Sequence, residues 1–225
     1  MRVLIACEES QTVCKAFRER GHEAYSCDIQ ECSGGHPEWH IMDDVMNVID
    51  TSLRRLFFLQ NGSSVGISNW DMMIAFPPCT DLAVSGAASF EEKRKDGRQK
   101  ASIEFFLSLT RTNIEKWAIE NPIGIMSTEY RKPDQIVNPF YFGDPFPKKT
   151  CLWLFGLKKL VHIKQDDLFY SKTHVEPQVK IYKSKKNKSG FSKYSPKHGV
   201  LGKGKGKLRS KFEPGFAKAM AEQWG

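Results

Sequence analysis

No uninterrupted apolar run in this chain of 225 residues approaches the roughly eighteen that a membrane span needs. The short run Val3 to Cys7 has neither the length nor the cleavage site of a secretory leader. These absences point to a cytoplasmic protein with no membrane partner. No C-x-x-C pair occurs among the six cysteines, Cys7, Cys14, Cys27, Cys32, Cys79 and Cys151, so reduced thiols are expected and neither a disulfide framework nor a zinc site is. Also missing are glycines after the first apolar segment, where Cys7, Glu8, Glu9 and Ser10 stand in the place of a phosphate-binding loop. Two glutamates there repel a pyrophosphate, which argues against NAD, FAD or ATP and tolerates a ligand that is cationic or zwitterionic near the loop. The same acids are also favoured at a helix start by the helix dipole.

What is present in excess is positive charge, and it is concentrated. Between Lys172 and Lys211 thirteen Lys or Arg accompany a single acid, Glu176, a local charge of +12 that leaves −4 for the rest of a chain whose total is +8. A mildly acidic body with one basic, Gly- and Ser-rich attachment suits a polyanion, since each lysine that meets a phosphate releases a counterion. Lys183, Lys185, Lys186, Lys188, Lys203, Lys205, Lys207 and Arg209 are the candidate backbone contacts, with DNA as the partner. A solvated charge run is the other reading of the same composition. Tyr182, Phe191, Tyr194 and Pro196 interrupt the run, so it is not a pure tail.

The pattern along the chain predicts an α/β fold. Residues 1–7 read as a central strand buried on both faces, and Ser10 is placed to cap a helix running to about Arg20 and stopped by Gly21. Glu23 to Asp28 is a second strand, which completes a βαβ unit with Asp28 at its end, where dinucleotide-type folds hold ribose hydroxyls. His36 and His40, four apart in a loop, read as surface histidines. Residues 38–42 form a possible third strand, followed by Asp43 and Asp44, a helix over about Val45 to Gln60 and a loop from Gly62 to Asn69. Gly-containing residues 80–99 read as a mobile lid, and a helix is expected over Lys100 to Lys116.

The stretch that organises the chain is WDMMIAFPPCTDLAVS, Trp70 to Ser85. An apolar strand, Met72 to Phe76, runs into Pro77 and Pro78, which fix two φ angles and hold Cys79 in one direction at the strand's carboxyl end. That is where open α/β sheets place ligands. Trp117 to Pro122, WAIENP, is a second strand ending in an acid and a proline. If parallel to the first, it brings Glu120 and Cys79 to one edge.

F-P-P-C at Phe76 to Cys79, followed by E-N-P at Glu120 to Pro122, resembles the Pro-Cys and Glu-Asn motifs of the DNA cytosine-5 methyltransferases, in that family's order. The resemblance extends in pieces over most of the chain and is nearest to the short members that phages carry. Asp28 lies where the family's ribose-binding acid does, Asp43 or Asp44 where its adenine-contacting Asp does, and EPGFAKAMAEQWG from Glu213 resembles the last motif, whose helix packs beside the first strand. The chain departs from the pattern in three places. Ala6 to Ser10 replaces the Phe-x-Gly-x-Gly loop, Lys148-Lys149-Thr150-Cys151 is the nearest counterpart of Gln-x-Arg-x-Arg, and no large target-recognition domain is present.

The resemblance implies a Rossmann-like, class I methyltransferase-like domain over 1–165, a basic nucleic-acid-binding appendage over 166–211 and a C-terminal helix over 212–225. The function it implies is S-adenosyl-L-methionine-dependent methylation of cytosine C5 in DNA. Cys79 would be the nucleophile toward C6 and Glu120 the acid at N3. Cofactor contacts would come from Cys7, Glu8, Ser10, Asp28, Ile29, Asp43, Asp44 and Pro77, and substrate contacts from Pro78, Thr80, Ser85, Asn121, Pro122, Lys148 and Lys149. Phe76 speaks against amino-group methylation, which needs a hydrogen-bond acceptor before Pro-Pro. Thymidylate synthases share Pro-Pro-Cys but follow it with His, where this chain has Thr80, so nucleotide-level pyrimidine chemistry is a lesser alternative. A methyltransferase-like nucleic-acid-binding protein without catalysis, such as a phage counter-defence factor, is the alternative from a different class.

Overall fold

The computed structural model describes residues 1–52, 55–166, 168–183, 191–194 and 211–225. In chain order the elements are β1 (Arg2–Ala6), α1 (Thr12–Glu19), β2 (Glu23–Asp28), a 3-10 turn (Pro37–Trp39), β3 (His40–Met42), α2 (Met46–Ile49), β4 (Leu56–Phe58), β5 (Ser64–Gly66) and β6 (Met72–Ala75). A 3-10 helix (Val84–Ser89), α3 (Phe90–Lys95), α4 (Arg98–Thr110), β7 (Trp117–Pro122), α5 (Met126–Glu129), β8 (Gln135–Val137) and a 3-10 turn (Pro139–Phe142) follow. β9 (Thr150–Phe155), the paired β10 (Lys180–Lys183) and β11 (Phe191–Tyr194), and α6 (Pro214–Trp224) complete the described elements.

Seven strands form one sheet in the order β3-β2-β1-β6-β7-β9-β8. β9 runs antiparallel to both of its neighbours and the remaining pairs are parallel. This is the expected Rossmann-like α/β architecture. The chain winds outward from β1 in one direction through β2 and β3, then returns to its other side at β6, so the topological switch lies between β1 and β6.

β1 is buried on both faces, as an apolar run without alternation requires. Val3 and Ile5 join the core under α1 and α6, whereas Leu4 and Ala6 join the one under α2 and α4. The first core is closed by Phe17 of α1 and Phe216, Met220 and Trp224 of α6, so the C-terminal helix lies on the layer that covers β1. Each fully buried aromatic there contributes about 2 to 3 kcal/mol by removal of apolar area from water.

Four local expectations are corrected. The helix expected over Val45 to Gln60 is only one turn, Met46–Ile49, and is followed by the β4–β5 hairpin. Leu56, Phe57 and Phe58 alternate exposed, buried, exposed, a period of two, and Gly62 at φ +87° lets the chain reverse after Asn61. Asn-Gly was the stronger signal. Residues 80–99, read as a loop, fold into a 3-10 helix and α3. Ser10 is not the cap of α1: Gln11 occupies that position at φ 57°, and Ser10 pairs with the Thr12 hydroxyl instead. His40 is not a surface residue but fully buried.

That histidine sits in a polar network at the end of β2. Its Nε2 faces the Gln30 carbonyl at 2.9 Å and must donate, which leaves Nδ1 to accept from the Ser26 hydroxyl at 2.8 Å. Burial holds its pKa below the usual histidine value, in keeping with a neutral ring. Gln11 donates to Ser26 and to the His36 carbonyl and accepts the His36 amide. The loop after β2 is thereby clamped onto the loop after β1.

Candidate active site at the carboxyl edge of the sheet

The crevice begins beyond the ends of β1 and β6. Parallel register pairs Ala75 of β6 with Ile119 of β7, so Phe76 to Cys79 leave the sheet alongside Glu120 to Pro122, which continue β7 in its pairing with β9. The Asn121 side-chain amide donates to the Pro77 carbonyl at 3.0 Å. Pro77 is buried, Pro78 exposed and Cys79 half-buried, on a backbone held from behind.

The segment after Cys79 is stapled to the segment after Glu120. Val84 N donates to the Ile123 carbonyl and Ile125 N to the Leu82 carbonyl, around an antiparallel bridge between Ala83 and Gly124. A Cβ on Gly124 would lie 2.3 Å from the Leu82 carbonyl oxygen, so only glycine permits this approach. Lys93 of α3 reaches back to donate to the Thr80 carbonyl at 2.6 Å and pairs with Asp81 at 3.3 Å, with its side chain 7% exposed. Gln99 and Ser102 add bonds to the Asp81 carbonyl and carboxylate. What the sequence suggested as a mobile lid is a pinned helical segment, and buried Lys93 is a site-organising residue that sequence reading missed.

Glu120 is 7% exposed and its carboxylate accepts from the Thr150 hydroxyl. Antiparallel register sets Thr150 opposite Pro122, which delivers that hydroxyl from the amino end of β9. Burial is the main force pushing the Glu120 carboxyl above the ordinary range; Lys148 and Thr150 pull it down and Glu213 pushes it up. For Lys148 burial opposes the charge, but Glu120, Glu213 and Cys79 together outweigh it and hold the ammonium above the usual lysine value. Cys79, Glu120 and Lys148 therefore share one electrostatic neighbourhood.

On the β1 side, Cys7 sits at φ 59° with its thiol pushed up to about 12 by burial first, then by Asp28 and Asp44. Burial also raises Cys14, Cys27 and Cys151. These four are neutral thiols and poor nucleophiles. Glu8 does not face a ligand: its carboxylate accepts the Val13 amide at 2.7 Å and the Cys14 amide at 3.1 Å. The helix N-terminus at which dinucleotide folds hold pyrophosphate is thus filled by the chain's own carboxylate. Glu9 is 8% exposed and its Oε2 is buried with no hydrogen-bond partner among the described residues. Asp28 accepts the Gln30 amide, Asp43 the Asp44 amide and the Asn47 side chain, and Asp44 the Met46 amide.

Ile29 beside Asp28 is 76% exposed, and Thr80, Ser85 and Lys149 are exposed. Lys183 is exposed in β10. Lys185, Lys186, Lys188, Lys203, Lys205, Lys207 and Arg209 lie outside the described residues. Glu213, 1% exposed at the start of α6, is a member of the site that sequence reading did not single out. Among the described residues no cluster of three His, Cys, Asp or Glu is arranged to hold a metal ion, and no helix is long and apolar enough to cross a membrane.

No family model matches the chain, and no curated protein matches it in sequence. Among solved structures it is similar to the Entamoeba histolytica methyltransferase EhMeth, at 14% identity and a TM-score of 0.43. The likeness covers 80% of this chain and 58% of that one, so the chain spans less than two thirds of that structure's length.

Proposed function

We propose that this protein methylates cytosine C5 in DNA, using S-adenosyl-L-methionine, through a covalent bond between Cys79 and C6 of the base. The observation that carries the reading is the fixed delivery of a partly exposed cysteine and a buried carboxyl, its proton affinity raised by burial, to the same edge of adjacent parallel strands. Cytosine C5 is a weak nucleophile, so the ring must first be converted to an enamine. The Cys79 thiolate forms the S–C6 bond while Glu120 gives its proton to N3, and the C5 electron pair becomes available for transfer. After transfer, loss of the C5 proton to solvent water, elimination of the thiolate and return of the N3 proton to Glu120 restore the aromatic ring and the enzyme. Lys148 beside Glu120 and Cys79 offsets the negative charge of the cluster, and exposed Pro78, Thr80 and Lys149 line the approach for a base taken out of its stack.

The residues at the switch crevice fit the cofactor. When bound, S-adenosyl-L-methionine supplies an electrophilic methyl carbon. Asp28, Asp43, Asp44 and exposed Ile29 would take its ribose and adenine, and Pro77 would border the methyl side. The unpartnered Glu9 oxygen suits an ammonium group, and a set of acids suits a cation better than a phosphate. Lys183 and the basic residues that follow it in sequence would contact the phosphate backbone.

DNA carrying 5-fluorocytosine in random flanking sequence provides the test, because the fluorine cannot leave as a cation after transfer. Wild type with cofactor should give an adduct that survives denaturing electrophoresis, and Cys79→Ser should give none while keeping DNA affinity. An equal adduct in Cys79→Ser, or none in a wild type that binds cofactor, overturns the reading.

A further inference from the structure

We propose that His162 and His174 form a pH-sensitive clasp that fastens the strap between β9 and β10, and through it the basic β10–β11 hairpin, to the turn carrying Tyr141, and that the clasp opens once both imidazoles carry a proton.

Between β9 and β10 no described residue belongs to a helix or strand, so the hold of this strap on the body rests on individual bonds. Thr173 N and His174 N donate to the Ile163 carbonyl at 2.9 and 3.1 Å. The Thr173 hydroxyl accepts the Ile163 amide at 2.8 Å and donates to the Tyr141 carbonyl at 2.7 Å. Val175 N donates to the Phe140 carbonyl and Gln178 N to the Pro145 carbonyl, each at 2.9 Å. These bonds bring both imidazoles to the Tyr141 ring, with centroids 4.5 Å (His162) and 4.6 Å (His174) from its own and 4.9 Å from each other. Three nearly equal separations mean that the two imidazoles lie side by side over one face of the tyrosine. Phe142 meets His162 edge-on, and Phe140 meets His174 in the same way.

The two rings touch through Nδ1 of His162 and Nε2 of His174, 2.7 Å apart. One of these nitrogens must donate and the other accept, which a neutral pair or a singly protonated pair can do. The electron-rich face of Tyr141 also favours a single imidazolium. A second proton sets N–H against N–H and places two positive charges in contact, so the bond is lost and the rings repel. Nothing charged nearby relieves that repulsion. Lys164 and Lys172 of the strap add positive charge at His174, and the Asp166 carboxylate of the strap accepts the Lys172 amide. Burial holds both histidines below their usual value, and at His174 the neighbouring His162, Lys164 and Lys172 add to it. A group whose pKa is lowered on folding stabilises the folded state above its ordinary value and loses that contribution as pH falls through the lowered one. The clasp is therefore closed at neutral pH and opens on mild acidification.

The test uses the full chain and measures hydrogen exchange, corrected for intrinsic rates, between about pH 7.5 and about pH 5. Protection of the Thr173, His174, Val175 and Gln178 amides should fall about tenfold over that interval, the factor set by one unit of pKa shift, while β1 and β6 stay protected. Protection that does not change with pH overturns the proposal. His174→Phe keeps a ring on Tyr141 but cannot take the second proton, so its protection should be level across the interval, and a wild-type fall in this variant overturns the clasp. Imidazole 15N shifts of wild type provide a readout that needs no variant. His162 and His174 should titrate in two separated steps, the later one below the ordinary histidine value, and coincident midpoints at that value overturn the proposal even if His174→Phe fails to fold.

Discussion

The side-chain amide of Asn121 donates to the backbone carbonyl of Pro77 at 3.0 Å, joining the strand that carries the acid to the turn that carries the thiol. Pro77 and Pro78 cannot donate backbone hydrogen bonds, so support for this turn has to come from side chains and from its carbonyls. Asn121→Ala leaves the Pro77 carbonyl without this donor and is expected to cost about 1 to 3 kcal/mol in urea unfolding. Loss of the thiol's fixed position should slow adduct formation by about tenfold or more. Wild-type stability together with wild-type adduct rate would show that the proline turn is rigid without the stitch.

Lys93 is the corresponding support on the far side of Cys79. Lys93→Met removes the donor to the Thr80 carbonyl and strands Asp81 in a site where its carboxylate is only 17% exposed. The expected loss is about 2 to 4 kcal/mol, in the range for breaking a buried pair on one side. Amide hydrogen exchange should locate it, with protection falling over residues 80–99 and holding in β1 and β6. Unchanged exchange there would restore the idea of an independent lid.

Glu8 gives a prediction in pH. Its carboxyl is pushed up from 4.5 to about 7, by burial first and against the pull of the Val13 and Cys14 amides. A carboxyl that binds its proton more tightly in the folded state favours folding below the unfolded value, and that contribution disappears as pH rises through the folded one. Stability should therefore fall between about pH 4.5 and pH 7 by up to about 3 kcal/mol from this group, with Glu120 acting in the same direction. Thermal unfolding of Glu8→Gln across that window should show a flatter profile. An identical profile would place the proton elsewhere.

The basic segment makes its own prediction from charge alone. If about six of its lysines meet phosphates, the logarithm of DNA affinity should fall with that of salt at a slope of about −5. Deleting residues 183–207 should flatten the slope, and an unchanged slope would move the DNA to another face.

Much of the sheet was legible because its signals are local. β1 and β6 are short apolar runs with punctuation at their ends, and the prolines after β6 and at the end of β7 marked the edge of the sheet to which Cys79 and Glu120 are delivered. The β4–β5 hairpin was missed because a helical period was fitted to residues whose alternation, closed by Asn61 and Gly62, is that of strands. Residues 80–99 read as a loop because their polarity hides one buried lysine whose partners are a carbonyl and a carboxylate. Glu213 was invisible as a site residue since its neighbours, Glu120 and Lys148, are remote in sequence. The left-handed positions Cys7 and Gln11 carry no glycine, and Gln11 is held by contacts that the folded loop makes, its side-chain bonds to Ser26 and His36.

The reversed direction of β9 bears on how freely this architecture tolerates insertion. The acid's hydroxyl partner belongs to the ladder itself, with Glu120 opposite Leu152 and Thr150 opposite Pro122, so backbone pairing rather than any loop sets their separation. The connection over residues 143–149 delivers Lys148 but does not set that register. The thiol, by contrast, lies beyond the last rung of β6 and depends on the residues stapled around it. Residues added among 143–149 should leave the Glu120–Thr150 pair intact and displace only the lysine, whereas residues added within 80–83 or beside Gly124 would dismantle the support of Cys79. Variation in chain length is thus permitted on the strand-built half of the edge and refused on the turn-built half.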